Sequence, residues 1–258
     1  MSRPLRILVA VKRVPAPGAQ INIADNGTEV DTAFLGFTTS PHEECAVEAA
    51  VQLVEGYGGE ATVITLGPAE AEEQLRYAVS VGMTKGVLLP IDGADWDPMA
   101  TADALTDVIR ELESADGPFD VILFGNESAD SGGFQVGIRV GNALGRPTVN
   151  GAKRLQITDE TAEIGRQTDQ GQEIYRVELP CVVGVKEGIN LPRYPTMKGR
   201  LASKKAEVTT VAPTHRPGAL TMVRLEQPVE QATETVILGH GPEAAAAVVD
   251  VLEELGVM

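Results

Sequence analysis

Two stretches carry residues whose types and spacing could do chemistry, Ser40-Pro41-His42-Glu43 and Gly125-Asn126-Glu127-Ser128-Ala129-Asp130-Ser131-Gly132-Gly133-Phe134-Gln135-Val136-Gly137. In the first, Ser40 is an N-cap type, Pro41 suits the first helical position and Glu43 is spaced to close a capping box. The outward amides of such a first turn carry partial positive charge and suit a phosphate. Capping alone explains the same residues, so both readings stand. In the second, Gly132 and Gly133 tolerate positive φ and close backbone approach, and successive amides there can form an anion-binding concavity. The run lacks both the Gly-Lys-Ser/Thr ending of a P-loop and the G-x-G-x-x-G spacing of a dinucleotide fingerprint, so triphosphate hydrolysis has no support.

No H-x-x-x-H, C-x-x-C or G-x-S-x-G pattern occurs, which leaves metal-assisted hydrolysis and nucleophile-elbow chemistry without a carrier. His42 reads as a surface histidine at a helix start. Cys45 falls in a helical pattern and Cys181 in an apolar strand, so both read as buried small hydrophobes. A third stretch, residues 191–205, holds five of the 21 Lys+Arg of a chain whose formal net charge is −16. Pro192 and Pro195 keep its start extended. A docking element and a solvated lead-in to a strand at 206–211 both fit that composition.

The acidic balance argues against sequence-independent nucleic-acid binding and against anionic lipid. With 43% hydrophobic but only 4% aromatic residues, the core of these 258 residues must be aliphatic. No signal core, transit helix or membrane-length apolar run is present, so a cytoplasmic protein is expected.

Strands at 5–11, 61–66, 86–90 and 119–124 alternate with helices at 43–55, 68–80, 98–112 and up to 144. Such alternation predicts an α/β fold with a parallel-core sheet flanked by helices. From Gly151 the pattern turns β-rich, with strands at 153–157, 162–167, 173–179 and 181–185 and a hairpin turn at 169–172. Residues 212–231 are aperiodic, and a final helix is expected over 243–255. Two parts follow, 1–210 and a C-terminal arm at 211–258. The arm either lies along another subunit or wraps its own domain.

Several motifs resemble the beta subunit of electron transfer flavoproteins. They are the strand end Val11-Lys12-Arg13-Val14, the helix start Ser40-Pro41-His42-Glu43-Glu44-Cys45-Ala46-Val47-Glu48, then Leu66-Gly67-Pro68, Gly125-Asn126-Glu127, and Arg193-Tyr194-Pro195-Thr196 followed by Ala202-Ser203-Lys204-Lys205. The match runs through about the first four fifths of the chain. It implies a Rossmann-like, adenine-nucleotide-binding domain that holds AMP through Ala10, Ser40 to Glu43, Leu66, and Gly125 through Val136. It also implies an electron carrier that helps enclose the FAD held mainly by an alpha subunit, the arm contacting that subunit. Residues 191–205 would then be a recognition loop that docks flavin dehydrogenases, such as acyl-CoA dehydrogenases, with a quinone oxidoreductase downstream. Its docking residues would be Arg193, Tyr194, Met197, Lys198, Arg200 and Leu201, with Met197 the anchor and the cations steering.

This chain departs from mitochondrial members where Ser40 replaces Asn, His42 an aromatic, Asn126-Glu127 a Lys-Gln pair and Pro17 a frequent aromatic. A backbone-held phosphate is compatible with these changes, while the side-chain contacts stay open. Alternatives are an electron-bifurcating homologue with a second FAD in place of AMP, and a stand-alone universal-stress-type nucleotide-binding protein.

Overall fold

A computed structural model describes residues 3–228 and 235–257. The chain opens with β1 (Leu5–Ala10), an apolar run buried at nearly every position. Two short ribbons follow, in which β2 (Val14–Pro15) pairs with β5 (Phe37–Thr38) and β3 (Asn22–Ile23) with β4 (Val30–Asp31). Then come α1 (Pro41–Tyr57), β6 (Gly59–Gly67), α2 (Glu72–Val81), β7 (Lys85–Pro90), α3 (Pro98–Asp116), β8 (Val121–Gly125) and α4 (Val136–Ala143). The β-rich half contributes β9 (Thr148–Thr158), β10 (Thr161–Thr168), β11 (Gly171–Glu178) and β12 (Cys181–Val185). After these stand α5 (Met197–Ser203), β13 (Val208–Thr210) and α6 (Ala245–Glu254).

Among the described residues one nine-stranded sheet has the order β11-β10-β9-β12-β8-β1-β6-β7-β13. Its pairings from β9 to β13 are parallel; only the β10 pairings with β9 and β11 are antiparallel. The strand order reverses at β1, with β6 on one side and β8 on the other. Both faces are covered, as a parallel sheet requires. On one, α1 and α2 bring Ala46, Val47, Ala50, Leu75 and Ala78 onto Ile7, Val9 and Val11. On the other, α3 and α4 bring Leu105, Ile109 and Val140 onto Leu8, Ala10 and Ile64.

The sequence reading of the second half needs adjustment. β9 begins at Thr148 rather than near Lys153, and β12 enters the parallel core between β9 and β8. Local pattern identifies strands but not their neighbours, because burial on both faces removes the alternation that marks a sheet face.

Contacts divide the chain into two compact units, the first ending at Leu225 and the second beginning at Glu226. Residues 211–225 belong to the α/β unit because specific bonds hold them there. Asp97 caps α3 through the Ala100 amide at 2.7 Å and accepts from the Ala219 and Leu220 amides at 2.7 and 2.8 Å. A Cβ at Gly218 would stand 1.9 Å from the Asp97 carboxylate, so this close approach needs glycine. Arg216 bridges Asp107 at 2.7 Å, the His215 ring lies edge-on to Trp96, and the Leu225 amide donates to the Gly27 carbonyl. These bonds tie residues 211–225 to the chain's own α/β unit, and the end of the aperiodic segment, residues 229–231, lies outside the described residues. The second unit contains a 3-10 turn at Gly241–Ala244 and α6, none of whose side chains is buried.

Candidate binding crevice and docking platform

Ligands of open parallel sheets bind outside the carboxyl ends of the strands where the strand order reverses. Here that place lies between β1 and β8. Ala10 ends β1 and Gly125 ends β8, while Leu66, half-buried, lies one strand away near the end of β6. The start of α1 meets them. Ser40 accepts from the Glu43 amide and Glu43 reaches back to the Ser40 amide, so the expected capping box is present. Glu43 Oε1 also accepts from the Lys12 amide at 2.9 Å, tying the end of β1 to α1. Burial pushes the Glu43 carboxyl up to about 8 despite these hydrogen bonds from Ser40 and Lys12.

Reading His42 as a surface histidine is corrected: only 14% of its side chain is exposed. Its Nδ1 accepts from the Glu187 amide at 2.8 Å. An amide can only donate, so Nδ1 is unprotonated and Nε2 carries the hydrogen, which it gives to Glu127 at 3.1 Å. The ring thereby joins α1, the loop after β8 and the segment after β12.

Residues 126–135 form the outer wall. Asp130 receives the Lys12 ammonium at 2.6 Å, and Asp95, from the β7–α3 connection, receives the same ammonium at 2.7 Å. Burial works against the Lys12 charge, but these two carboxylates outweigh it and raise its pKa. Ser128 and Ser131 share a hydroxyl bond at 2.7 Å. Gly132 has φ 55° and Phe134 φ 54°, a conformation uncommon for a bulky residue. Beyond them α4 begins without a side-chain cap, which leaves its first amides without a helical partner. A Cβ at Gly132 would meet nothing within 4 Å, so the loop is open there.

The α1 start is satisfied by its own cap and carries a buried carboxylate. The α4 start has no side-chain cap, whereas in the glycine turn before it the Gly132 amide donates to the Ser128 carbonyl at 3.0 Å and the Ser131 amide to Asp130 at 2.7 Å. Ala10, Ser40 to Glu43 and Gly125 through Val136 do gather around one edge.

The docking residues gather elsewhere, against α1 and α2. After an irregular start, residues 197–203 form α5 rather than continuing extended. Thr196 caps it by accepting from the Gly199 amide at 3.0 Å. Gly199 permits contact with α2, since a Cβ there would stand 2.1 Å from the Ser80 carbonyl oxygen. Arg76 also donates to the Ser203 carbonyl at 2.6 Å. Leu191 (88% exposed), Tyr194 (90%), Met197 (75%) and Leu201 (61%) are left in solvent. Arg193 does not stand free as a steering cation, because its guanidinium lies on Glu48 and Glu55 of α1. Lys198 and Arg200 are the other cations of that group.

Sequence reasoning overlooked Lys12, Asp95, Asp97, Glu48 and Glu55. Glu48 and Glu55 carried a weak signal, being spaced i, i+7 on one helical face. Both cysteines are buried free thiols, as expected, and burial pushes the Cys181 thiol up to about 12. Among the described residues no helix is long and apolar enough to cross a membrane.

Fold and geometry thus define an α/β protein in which the ends of β1 and β8, the start of α1 and a glycine-bearing loop meet at the carboxyl edge of the parallel sheet, with a separate, pinned apolar platform. The family described as Electron transfer flavoprotein domain matches residues 32–216. The chain is similar to the electron transfer flavoprotein subunit beta of Syntrophomonas wolfei subsp. wolfei, 36% identical over 209 residues, covering 81% of this chain and 80% of that protein. It is 34% identical to the subunit beta of Bacillus subtilis over 185 residues, covering 71% and 67% of the two chains. It is 31% identical to Protein FixA of Bradyrhizobium diazoefficiens over 205 residues, covering 78% and 71%. The chain belongs to the electron transfer flavoprotein beta subunit family.

Proposed function

We propose that this chain is the beta subunit of a heterodimeric electron carrier. It pairs with an alpha subunit, helps enclose the FAD held there, binds AMP in its own crevice and docks flavin dehydrogenases through residues 191–205. Electrons then pass to a downstream acceptor such as a quinone oxidoreductase. The flavin supplies the redox chemistry when bound, and this chain supplies shape and contacts.

The first amides of the uncapped α4 would hold the AMP phosphate, and the open space at Gly132 would let it approach. The Lys12 bridge between Asp95 and Asp130 keeps that wall in place. His42, with both ring nitrogens engaged inside the chain, braces the crevice from the α1 side.

The observation that carries the docking role is the exposure of Tyr194, Met197 and Leu201 on a segment otherwise tied down. Solvent-facing apolar groups grouped on a rigid support favour a partner site over a core. Met197, unbranched and adaptable, is the anchor.

The test is Met197→Ala, purified with the alpha subunit and assayed for flavin content and for electron transfer from an acyl-CoA dehydrogenase that reduces the unaltered heterodimer. Full flavin content with transfer cut at least tenfold is expected. Undiminished transfer would remove Met197 as the anchor.

A further inference from the structure

Arg193 is the first residue of the docking group, and its side chain is engaged on α1. Nε and Nη2 donate to the two oxygens of Glu48 at 2.8 and 3.0 Å, and Nη1 and Nη2 donate to the two oxygens of Glu55 at 2.6 and 2.9 Å. The Arg193 backbone amide adds a bond to Glu48 at 3.2 Å, and Gln52 donates to Glu48 at 2.7 Å. Glu48 is buried, with 5% of its side chain exposed. A buried carboxylate facing a planar guanidinium fork holds one geometry, because both oxygens and the fork must align together. With two carboxylates against one cation, this place is not locally basic, so attraction of an acidic partner is not its use.

The clamp lies one residue before Tyr194 and four before Met197. On the far side of those residues, α5 is seated on α2 through Gly199 and Arg76. The segment carrying the exposed apolar groups is therefore fastened at both ends, to α1 by Arg193 and to α2 by α5. Ordering a free loop at the moment of association costs the entropy of each side chain it immobilises. A loop ordered during folding avoids that cost.

We propose that Arg193 is a positioning residue for partner docking: its double fork onto Glu48 and Glu55 sets Tyr194, Met197 and Leu201 at a fixed height above α1 and α2 before a partner arrives. The inference rests on the docking role above. It assigns Arg193 to geometry and leaves steering to Lys198 and Arg200.

Arg193→Lys separates the two roles, because lysine keeps the charge and loses the fork. The heterodimer carrying Arg193→Lys, Met197→Ala or both is titrated against an acyl-CoA dehydrogenase that reduces the unaltered heterodimer, with flavin content measured in parallel. Arg193→Lys should raise the KM for the carrier about tenfold at unchanged kcat and flavin content. The double variant should be no worse than the poorer single one, because both act through the same anchor. Glu55→Gln, which alters only the exposed partner of the fork, should give a smaller rise in KM and covers the case in which Arg193→Lys fails to fold. An unchanged KM in Arg193→Lys, or in Glu55→Gln where that variant stands in, together with a raised KM in Met197→Ala overturns the positioning role and leaves docking intact. Multiplying effects in the double variant overturn it as well. An unchanged KM in Met197→Ala overturns the docking role and this inference with it.

Discussion

Gly125 lies against Glu43 so closely that a Cβ on the glycine would stand 2.7 Å from the Glu43 Cγ and 3.3 Å from its amide nitrogen. The end of β8 and the first turn of α1 thus share a contact that only a hydrogen atom fits. Glu43 cannot swing aside, since its carboxylate is bonded to the Lys12 and Ser40 amides.

Gly125→Ala should therefore displace α1 and open the crevice. A destabilisation of about 1–3 kcal/mol is expected, read as a lowered Tm, together with loss of AMP from the purified heterodimer. A variant with wild-type Tm and full nucleotide would show that the contact relaxes freely.

The Glu43 carboxyl, pushed up to about 8 by burial, makes stability depend on pH. Between the ordinary carboxylate range and about 8, the unfolded chain has lost this proton while the folded chain keeps it. Stability therefore falls as pH rises through that window, by up to about 1.4 kcal/mol per unit. Glu43→Gln removes this slope. The variant should be less stable than wild type near pH 5, by about 1 kcal/mol for the hydrogen bond its amide nitrogen cannot accept. It should gain on wild type toward pH 8. Parallel urea-melt midpoints for the two proteins from pH 5 to 8 would contradict the assignment.

Asp97 joins the α3 cap to residues 211–225. Burial opposes its charge, but amides of Ala100, Leu220, Ala219 and Met99 together hold the carboxyl below its ordinary value. That contribution is present above the usual aspartate range and is lost as pH falls through the folded-state value. Asp97→Ala should cost about 1–2 kcal/mol and speed amide hydrogen exchange at Ala219 and Leu220. Unchanged exchange at those two amides would mean that other contacts hold the segment.

The bound groups give a direct measurement. Denaturing the pure heterodimer should release AMP and FAD in equal amounts, as the proposed phosphate site at the uncapped start of α4 requires. Recovery of two FAD and no AMP would place the protein with electron-bifurcating carriers.

Much of this protein was decided locally. The capping box at Ser40 and Glu43, the aliphatic strands, the helices between them and the glycine turn before α4 follow from side chains within a few residues of each other. Such signals depend on backbone φ/ψ preference and on 3.6- or 2-residue periodicity, which neighbouring residues set. The exposed segment at 191–205 was legible for the same reason, since two prolines and five cations stand out in an acidic chain. Long-range pairing was not legible. His42 looked like a surface histidine until Glu187 and Glu127 met its ring, and Arg193 looked like a steering charge until Glu48 and Glu55 took it up. Lys12 gained its two aspartates, Asp97 its second set of amides and β12 its place beside β8 only when residues tens to more than a hundred positions apart were packed together. A charged or polar side chain in sequence shows what it can bond. Which partner it meets depends on strand order and on how closely a glycine such as Gly125 or Gly199 lets two elements approach, and those are properties of the assembled core.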